Sequence, residues 1–322
     1  MKFLITGGAG YIGTNLANYL LLNNHQVVVL DNLELGNKSL VPQKAKLHIN
    51  DLRNKKEVEK IFSESKIDAV FHLAAYSSVQ ESMKIPGKYF NNNIISTVNL
   101  LETMVKFNVK CLIFSSSAAV YGNPQKYSVN EECPLSPNNV YGQTKKIIEE
   151  MLDWYDRIYN IKFVSLRYFN AAGADYGVGE KRKNETHLIP LAIKTALKEK
   201  EYLTVFGNNY PTKDGTAIRD YVHITDISKA HLLSFNYLKK NEKSQIINLG
   251  SGLGKSVSEI VDLVKKINNS DFKIRIENRR SGDPIVLVAN YFKAKKILGW
   301  EPERDIKEII KSAYDWHKSQ LQ

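Results

Sequence analysis

Apolar and polar positions follow two rhythms along the first half of the chain. Lys2–Thr6 (KFLIT), Gln26–Leu30 (QVVVL), Ala69–Leu73 (AVFHL), Cys111–Ser115 (CLIFS) and Phe163–Leu166 (FVSL) are short apolar runs, and each predicts a buried strand. Between them apolar residues return at helical spacing: Ile12, Leu16, Tyr19 and Leu20 within Tyr11–Asn23, a long pattern over Phe90–Phe107, and a helix from about Tyr141 to Tyr159. Strand and helix in alternation predict an α/β fold: a Rossmann-type doubly wound parallel sheet with helices on both faces.

After about Asn170 the rhythm changes. Loops lengthen at Gly173–Glu185 and Gly207–Thr216, and strands scatter between helices. The expected organisation is a dinucleotide-binding domain over 1–170 and a smaller C-terminal α/β substrate domain over 171–322. Segments from about 217–250, Ile246–Leu249 among them, are expected to return to the first domain. No Pro/Gly/Ser-rich hinge, repeat or low-complexity stretch marks the boundary.

Composition narrows the class. The 322 residues are 43% hydrophobic and include 17 Tyr, enough for a packed core and against disorder. No run of about 18 apolar residues offers a membrane span. The opening MKFLITGGAG breaks into glycine after Thr6, unlike a secretory signal. Cys111 and Cys133 fit free thiols in a reducing cytoplasm and show no metal-ligand spacing, so no metal is expected. The net charge of +11 comes from dispersed lysines with no basic stripe, which argues against nucleic acid and leaves a lysine-rich surface or the attraction of a small anion.

The candidate chemistry begins at TGGAGYIG, Thr6–Gly13, between the first strand and the first helix. Gly7, Gly10 and Gly13 permit a tight turn and close backbone approach to a pyrophosphate at the helix N-terminus. The second strand ends in Asp31, placed to accept from adenosine ribose hydroxyls and to repel a 2′-phosphate, so NAD is favoured over NADP. Asp51–Leu52, after the third strand, reads equally as an adenine contact or as an ordinary helix start. Ser115, Ser116 and Ser117 fall at a strand's carboxyl end, where ligands sit in such sheets. Downstream, YGQTK sets Tyr141 and Lys145 on one helix face. A phenol titrates near 10, so it needs a neighbouring cation to act as a base. A serine that holds a substrate hydroxyl completes a set able to deprotonate a sugar alcohol as hydride leaves for NAD.

With these motifs in order, the chain resembles the extended short-chain dehydrogenases/reductases, most closely the UDP-glucose 4-epimerase family. The likeness runs through TGGAGYIG, LDNL, NDLRN, FHLAA, FSSSAAVYG, YGQTK, LRYFNAAGA, FGNNYPTKDGTAIRDYVH, NLGSG, RRSGDP and LGW, nearly the whole chain. It implies an isomerase of galactose metabolism that interconverts UDP-glucose and UDP-galactose through a 4-keto sugar, with tightly held NAD regenerated each cycle. It makes Tyr141 the acid/base, Lys145 the group that bonds the nicotinamide ribose, and Ser117 the contact to the sugar 4-hydroxyl. It assigns Gly7, Gly10, Tyr11, Ile12, Gly13, Asp31, Asn32, Asp51, Leu52, Leu73, Ala74, Ala75, Asn93, Ser115 and Tyr168 to the cofactor. It assigns Asn170, His187, Leu188, Val205, Phe206, Arg219, Tyr221, Arg280 and Asp283 to the UDP-sugar, with Arg219 and Arg280 on phosphate and Asp283 on the uridine ribose. A homodimer packed through about Phe90–Phe107 and Tyr141–Tyr159 is implied as well.

Four positions depart from the family pattern. Thr186 and His187 replace two asparagines, and His187 reads equally as structural or ligand-facing. Leu287 stands where bulk gates N-acetylated sugars, and its intermediate size leaves UDP-GlcNAc and UDP-GalNAc open. Ser77 replaces a lysine found near the cofactor in some relatives. Among rivals, 4,6-dehydratases need an acidic pair where this chain has Ala118 and Ala119. A UDP-glucuronate 4-epimerase or decarboxylase needs a further cation that the sequence does not identify. A non-catalytic NAD-sensing regulator would tend to lack the Tyr/Lys pair.

Overall fold

A computed structural model describes residues 1–182, 185–241, 243–280 and 282–321. Seven strands make the main sheet: β1 Lys2–Thr6, β2 Gln26–Asp31, β3 Lys46–Ile49, β4 Ala69–His72, β5 Cys111–Ser117, β6 Lys162–Tyr168 and β7 Gln245–Leu249. All pairings are parallel, in the order β7-β6-β5-β4-β1-β2-β3. The order reverses beside β1, the switch point at which such sheets bind ligands. The strands are apolar on both sides because both sides are covered.

Eight helices matter for the argument: α1 Tyr11–Leu22, α2 Lys55–Glu64, α3 Ser96–Lys106, α4 Val140–Tyr159, α5 Leu188–Ala196, α6 Ile224–Asn241, α7 Val257–Ile267 and α8 Ile306–Ser319. On one face α1 and α6 bury Phe3, Phe71, Val164 and Ile247. On the other, α2, α3 and α4 bury Leu4, Val70, Leu112 and Phe163. A third core, with Ile193, Val205, Val264 and Ile309, joins α5, α7 and α8 to the paired strands Tyr202–Phe206 and Lys273–Glu277. A small fourth core of Ala118, Val120, Tyr121, Phe169 and Leu287 lies where β5 meets the later segments.

The pattern over Phe90–Phe107 is not one uniform helix. Phe90–Ile95 is a π-helical stretch that runs into α3. Its wider turn places Asn93 inward.

Candidate active site

The glycine loop owes its residues to crowding. After β1 the chain turns at Gly7, φ +71°, where a Cβ would sit 2.7 Å from the Ala74 amide nitrogen. A Cβ on Gly13 would lie 2.3 Å from the Gly7 carbonyl oxygen. No side chain caps α1 and no acid stands in its first turn. The amides of Tyr11, Ile12 and Gly13 have no intrahelical acceptor, so the helix start suits an anion. Asp31 closes β2, its Oδ2 accepting from the Ala9 amide at 3.0 Å and its Oδ1 from the Leu33 amide at 2.9 Å. Burial raises its carboxyl and those amides oppose the rise. Asn32 donates to Asp51 at 2.9 Å, and Arg53 grips Asp51 at 2.9 and 2.7 Å. Arg53 holds the Asp51 carboxyl well below its usual range. Leu52 is buried beneath, and the Leu73 amide bonds Thr6 O at 3.0 Å, setting Leu73, Ala74 and Ala75 beside the loop. An open helix start, a crowded glycine turn and an oriented carboxylate fit a dinucleotide.

A buried chain of hydrogen bonds ties this loop to α4. Thr97 spends its proton on Asn93 O at 2.7 Å, so His72 Nε2 is the donor to Thr97 Oγ1 at 2.9 Å. His72 Nδ1 then accepts from Thr6 Oγ1 at 2.7 Å. Burial lowers the imidazole to about 3, so it is neutral. The Asn93 amide takes the Tyr76 N–H at 2.9 Å and donates to Tyr76 O at 3.1 Å and Thr144 Oγ1 at 3.0 Å. Asn93 thus braces α4 one residue before Lys145.

Ser117, Tyr141 and Lys145 meet where β5 ends and α4 begins. Asn139 caps α4 by accepting the Gly142 amide at 2.8 Å. A Cβ on Gly142 would stand 2.5 Å from Ala119 O, so the glycine of YGQTK lets the helix approach the turn after Ser117. Ser117 Oγ accepts from the Ala119 amide at 3.1 Å. Burial raises the Tyr141 phenol, while the nearby Ser117 hydroxyl and the Arg182 charge pull it down. Lys145 donates to Ser115 O at 2.8 Å, and burial lowers it to about 7 against the opposing pull of Glu149. Tyr168 ends β6 with its hydroxyl bonded to His231 Nε2 at 2.6 Å, so that hydroxyl is spent inside the fold.

The second cluster comes from the later segments. Arg219 donates to Asp283 at 2.7 Å and to Ile218 O at 2.8 Å. The Arg280 guanidinium lies 3.9 Å above the Phe206 ring, and its Nε has no partner among the described residues. Val205 and Tyr221 are buried beneath. The Asn170 amide donates to Asp220 O at 2.7 Å. Leu287 pairs in register with Arg219 and packs in the fourth core. His187, which precedes Leu188 and α5, bonds Glu185 Oε1 at 2.7 Å and lies 3.2 Å from Glu180. Burial pulls its pKa down, but Glu180 and Glu185 outweigh that and raise it. Glu180, Glu185 and His187 place ligand atoms within 4.8 Å of one another, yet Arg182 already pairs with Glu180 at 2.7 Å. Arg182 also donates to Ser77 Oγ at 3.2 Å, putting a cation beside a position the sequence left in doubt.

Sequence reasoning passed over several residues that shape the site. Asp220 is fully buried and accepts from the amides of Ser251, Gly252 and Ala289 at 2.7, 2.9 and 3.0 Å, joining three segments. Glu149 stands one helical turn beyond Lys145 and pairs with buried Arg167 at 2.6 Å. The spacing Tyr141, Lys145, Glu149 was a usable signal; Asp220 had none.

Comparison with known proteins bears on the family. The chain is 45% identical over 322 residues to a UDP-glucose 4-epimerase of Lactobacillus helveticus, covering 99% of this chain and 98% of the relative. It superimposes on a UDP-glucose 4-epimerase of Bifidobacterium longum solved with NAD+ and UDP, at a TM-score of 0.95 and 35% identity, covering 100% of this chain and 99% of that one. It also superimposes on a UDP-Glc/GlcNAc 4-epimerase of Campylobacter jejuni, at a TM-score of 0.86 and 43% identity, covering 99% of each. Residues 3–250 match the model of the NAD dependent epimerase/dehydratase family, and the chain belongs to that family.

Proposed function

We propose that this protein is an NAD-dependent 4-epimerase that interconverts UDP-glucose and UDP-galactose. The observation that carries the reading is the meeting of Ser117, Tyr141 and Lys145 at the carboxyl end of β5, in a sheet whose switch point bears the glycine loop and Asp31. Bound NAD supplies the hydride acceptor and donor. Tyr141 takes and returns the proton at the sugar 4-oxygen. Ser117 orients that oxygen from the strand end beside the phenol. Lys145, fixed on Ser115 O, supplies positive charge that favours the phenolate. Gly7, Gly10, Tyr11, Ile12 and Gly13 receive the pyrophosphate and Asp31 the adenosine ribose. Arg219 and Arg280 hold the substrate diphosphate, and Asp283 the uridine ribose. Ala118 and Ala119 carry no proton, which disfavours dehydration.

Residues 171–322 form mainly the UDP-sugar part in this reading, with about 217–250 returned to the NAD part. The functional unit in this reading is a cytoplasmic homodimer packed through about Phe90–Phe107 and Tyr141–Tyr159, where α4 exposes Trp154 and Ile158. The test is to incubate purified protein and NAD with UDP-galactose and, separately, UDP-N-acetylgalactosamine, following the anomeric protons by NMR. Conversion of UDP-galactose is expected. Its failure overturns the function, and the second reaction reads whether Leu287 admits an acetamido group.

A further inference from the structure

Glu149 lies in the interior of the fold, where a carboxylate needs a reason. Its side chain is 3% exposed and that of Arg167 2%. Oε1 accepts from Ser116 Oγ at 2.6 Å, Ser165 Oγ at 2.9 Å and Arg167 Nε at 3.0 Å. Oε2 accepts from the other arm of the guanidinium at 2.6 Å. Arg167 continues to the Tyr121 hydroxyl at 2.8 Å, which donates to Asn248 at 2.7 Å. Every partner is internal, and none is a ligand group. A buried pair of this kind often adds nothing to stability over an apolar pair of the same size.

Position gives the carboxylate a use. Ser116 lies between Ser115, whose carbonyl holds Lys145, and Ser117, whose hydroxyl lowers the Tyr141 phenol. Glu149 sits on α4 one turn past Lys145. The bond from Ser116 to Glu149 therefore fixes the strand end against the helix at the level where the two halves of the acid–base pair meet.

We propose that Glu149 is a positioning residue for the reaction: it locks β5 to α4 behind Ser117, Tyr141 and Lys145, and it is the fixed counter-charge of the Lys145 ammonium. This rests on the reading of Tyr141 and Lys145 given above. The other groups around Lys145 do not supply that charge. From β4 comes His72, neutral because burial lowers it to about 3. From β5 come the Ser115 carbonyl and the Phe114 ring, 4.8 Å away. From β6 come Arg167, a cation, and Tyr168, whose phenol burial raises. The π-helical stretch contributes the neutral Asn93 amide. On α4 itself are Tyr141 and, beyond Glu149, Asp153, whose carboxyl is raised by burial and, after the opposing pull of Arg157, by repulsion from Glu149. Burial alone pushes Lys145 toward the neutral amine, and Glu149 opposes it.

The sign follows. Without the Glu149 charge, Lys145 gives up its proton at lower pH, and the alkaline limb of turnover moves to lower pH with it. The test uses the full chain in three forms: unaltered, Glu149→Gln, and Glu149→Gln with Arg167→Met. The double variant removes both charges, so it leaves no unpaired guanidinium if the single variant folds poorly. The Lys145 ε-carbon is titrated by NMR in 13C-lysine-labelled protein, and the pH profile of kcat is measured beside it. In Glu149→Gln the Lys145 midpoint and the alkaline limb are expected to fall together by about one pH unit, the size of shift that neighbouring charge commonly produces, and by less in the double variant, which also loses a repelling cation. An unchanged midpoint in a folded variant overturns the proposal. The titration needs no turnover, so it decides the role of Glu149 even if UDP-galactose is not converted.

Discussion

Two arginine–carboxylate pairs flank the site, and they are built differently. Arg167 and Glu149 are 2% and 3% exposed and wrapped by internal partners. Arg219 and Asp283 are 13% and 33% exposed, and Asp283 accepts from a single arm of its arginine. The first pair cannot exchange partners without unpacking the strands. The second is partly exposed and held by one arm of its arginine, so it can open toward a ligand with less disruption. Near it, Arg280 keeps an unpartnered Nε. Closed charge sets geometry; open charge is free to meet a ligand.

Three experiments break or sharpen that contrast. The largest effect belongs to neither pair: Tyr141→Phe removes the proton carrier, and kcat is expected to fall by about 10²–10⁴-fold, the usual weight of general acid–base catalysis. NAD binding, read by fluorescence, should stay unchanged, and near-normal turnover would remove Tyr141 from the chemistry. Next come matched substitutions in the two pairs. Arg167→Met leaves Glu149 buried without its cation, and unfolding in denaturant should show a loss of about 3–5 kcal/mol. Arg219→Met should leave stability almost unaltered but weaken UDP binding roughly 10–100-fold by calorimetry, the range of one charged hydrogen bond. Equal stability losses would erase the distinction. The smallest effect is expected at Asp31→Ala: the preference for NAD over NADP should narrow by roughly tenfold, the worth of a hydrogen bond. An unchanged ratio of dissociation constants would take Asp31 out of the cofactor site.

Most of the sheet was legible because its signals are local. Five apolar runs in the first half each carry their own evidence of being strands, and the glycines of Thr6–Gly13 sit between a strand and a helix in the sequence as in space. The π-helical stretch at Phe90–Ile95 was not legible, because its apolar spacing differs too little from that of an α-helix. The buried charges were harder still. Nothing beside Arg167 or Asp220 in the chain hints that either is buried, since the partners that permit burial come from distant segments. Gly142 lies between these cases: its motif is visible in the sequence, but its reason, the Ala119 carbonyl, appears only when the helix is docked.

The strand order also bears on how the protein is made. Strand β7 pairs with β6, and α6 covers the face holding Phe3, Phe71 and Val164, yet both elements lie beyond residue 220. A ribosome that has released only the first 200 residues has exposed a sheet with an unpaired edge and a bare aromatic face. Such a nascent chain is a natural client for chaperones, and it becomes safe only when the last third of the polypeptide returns to close the first.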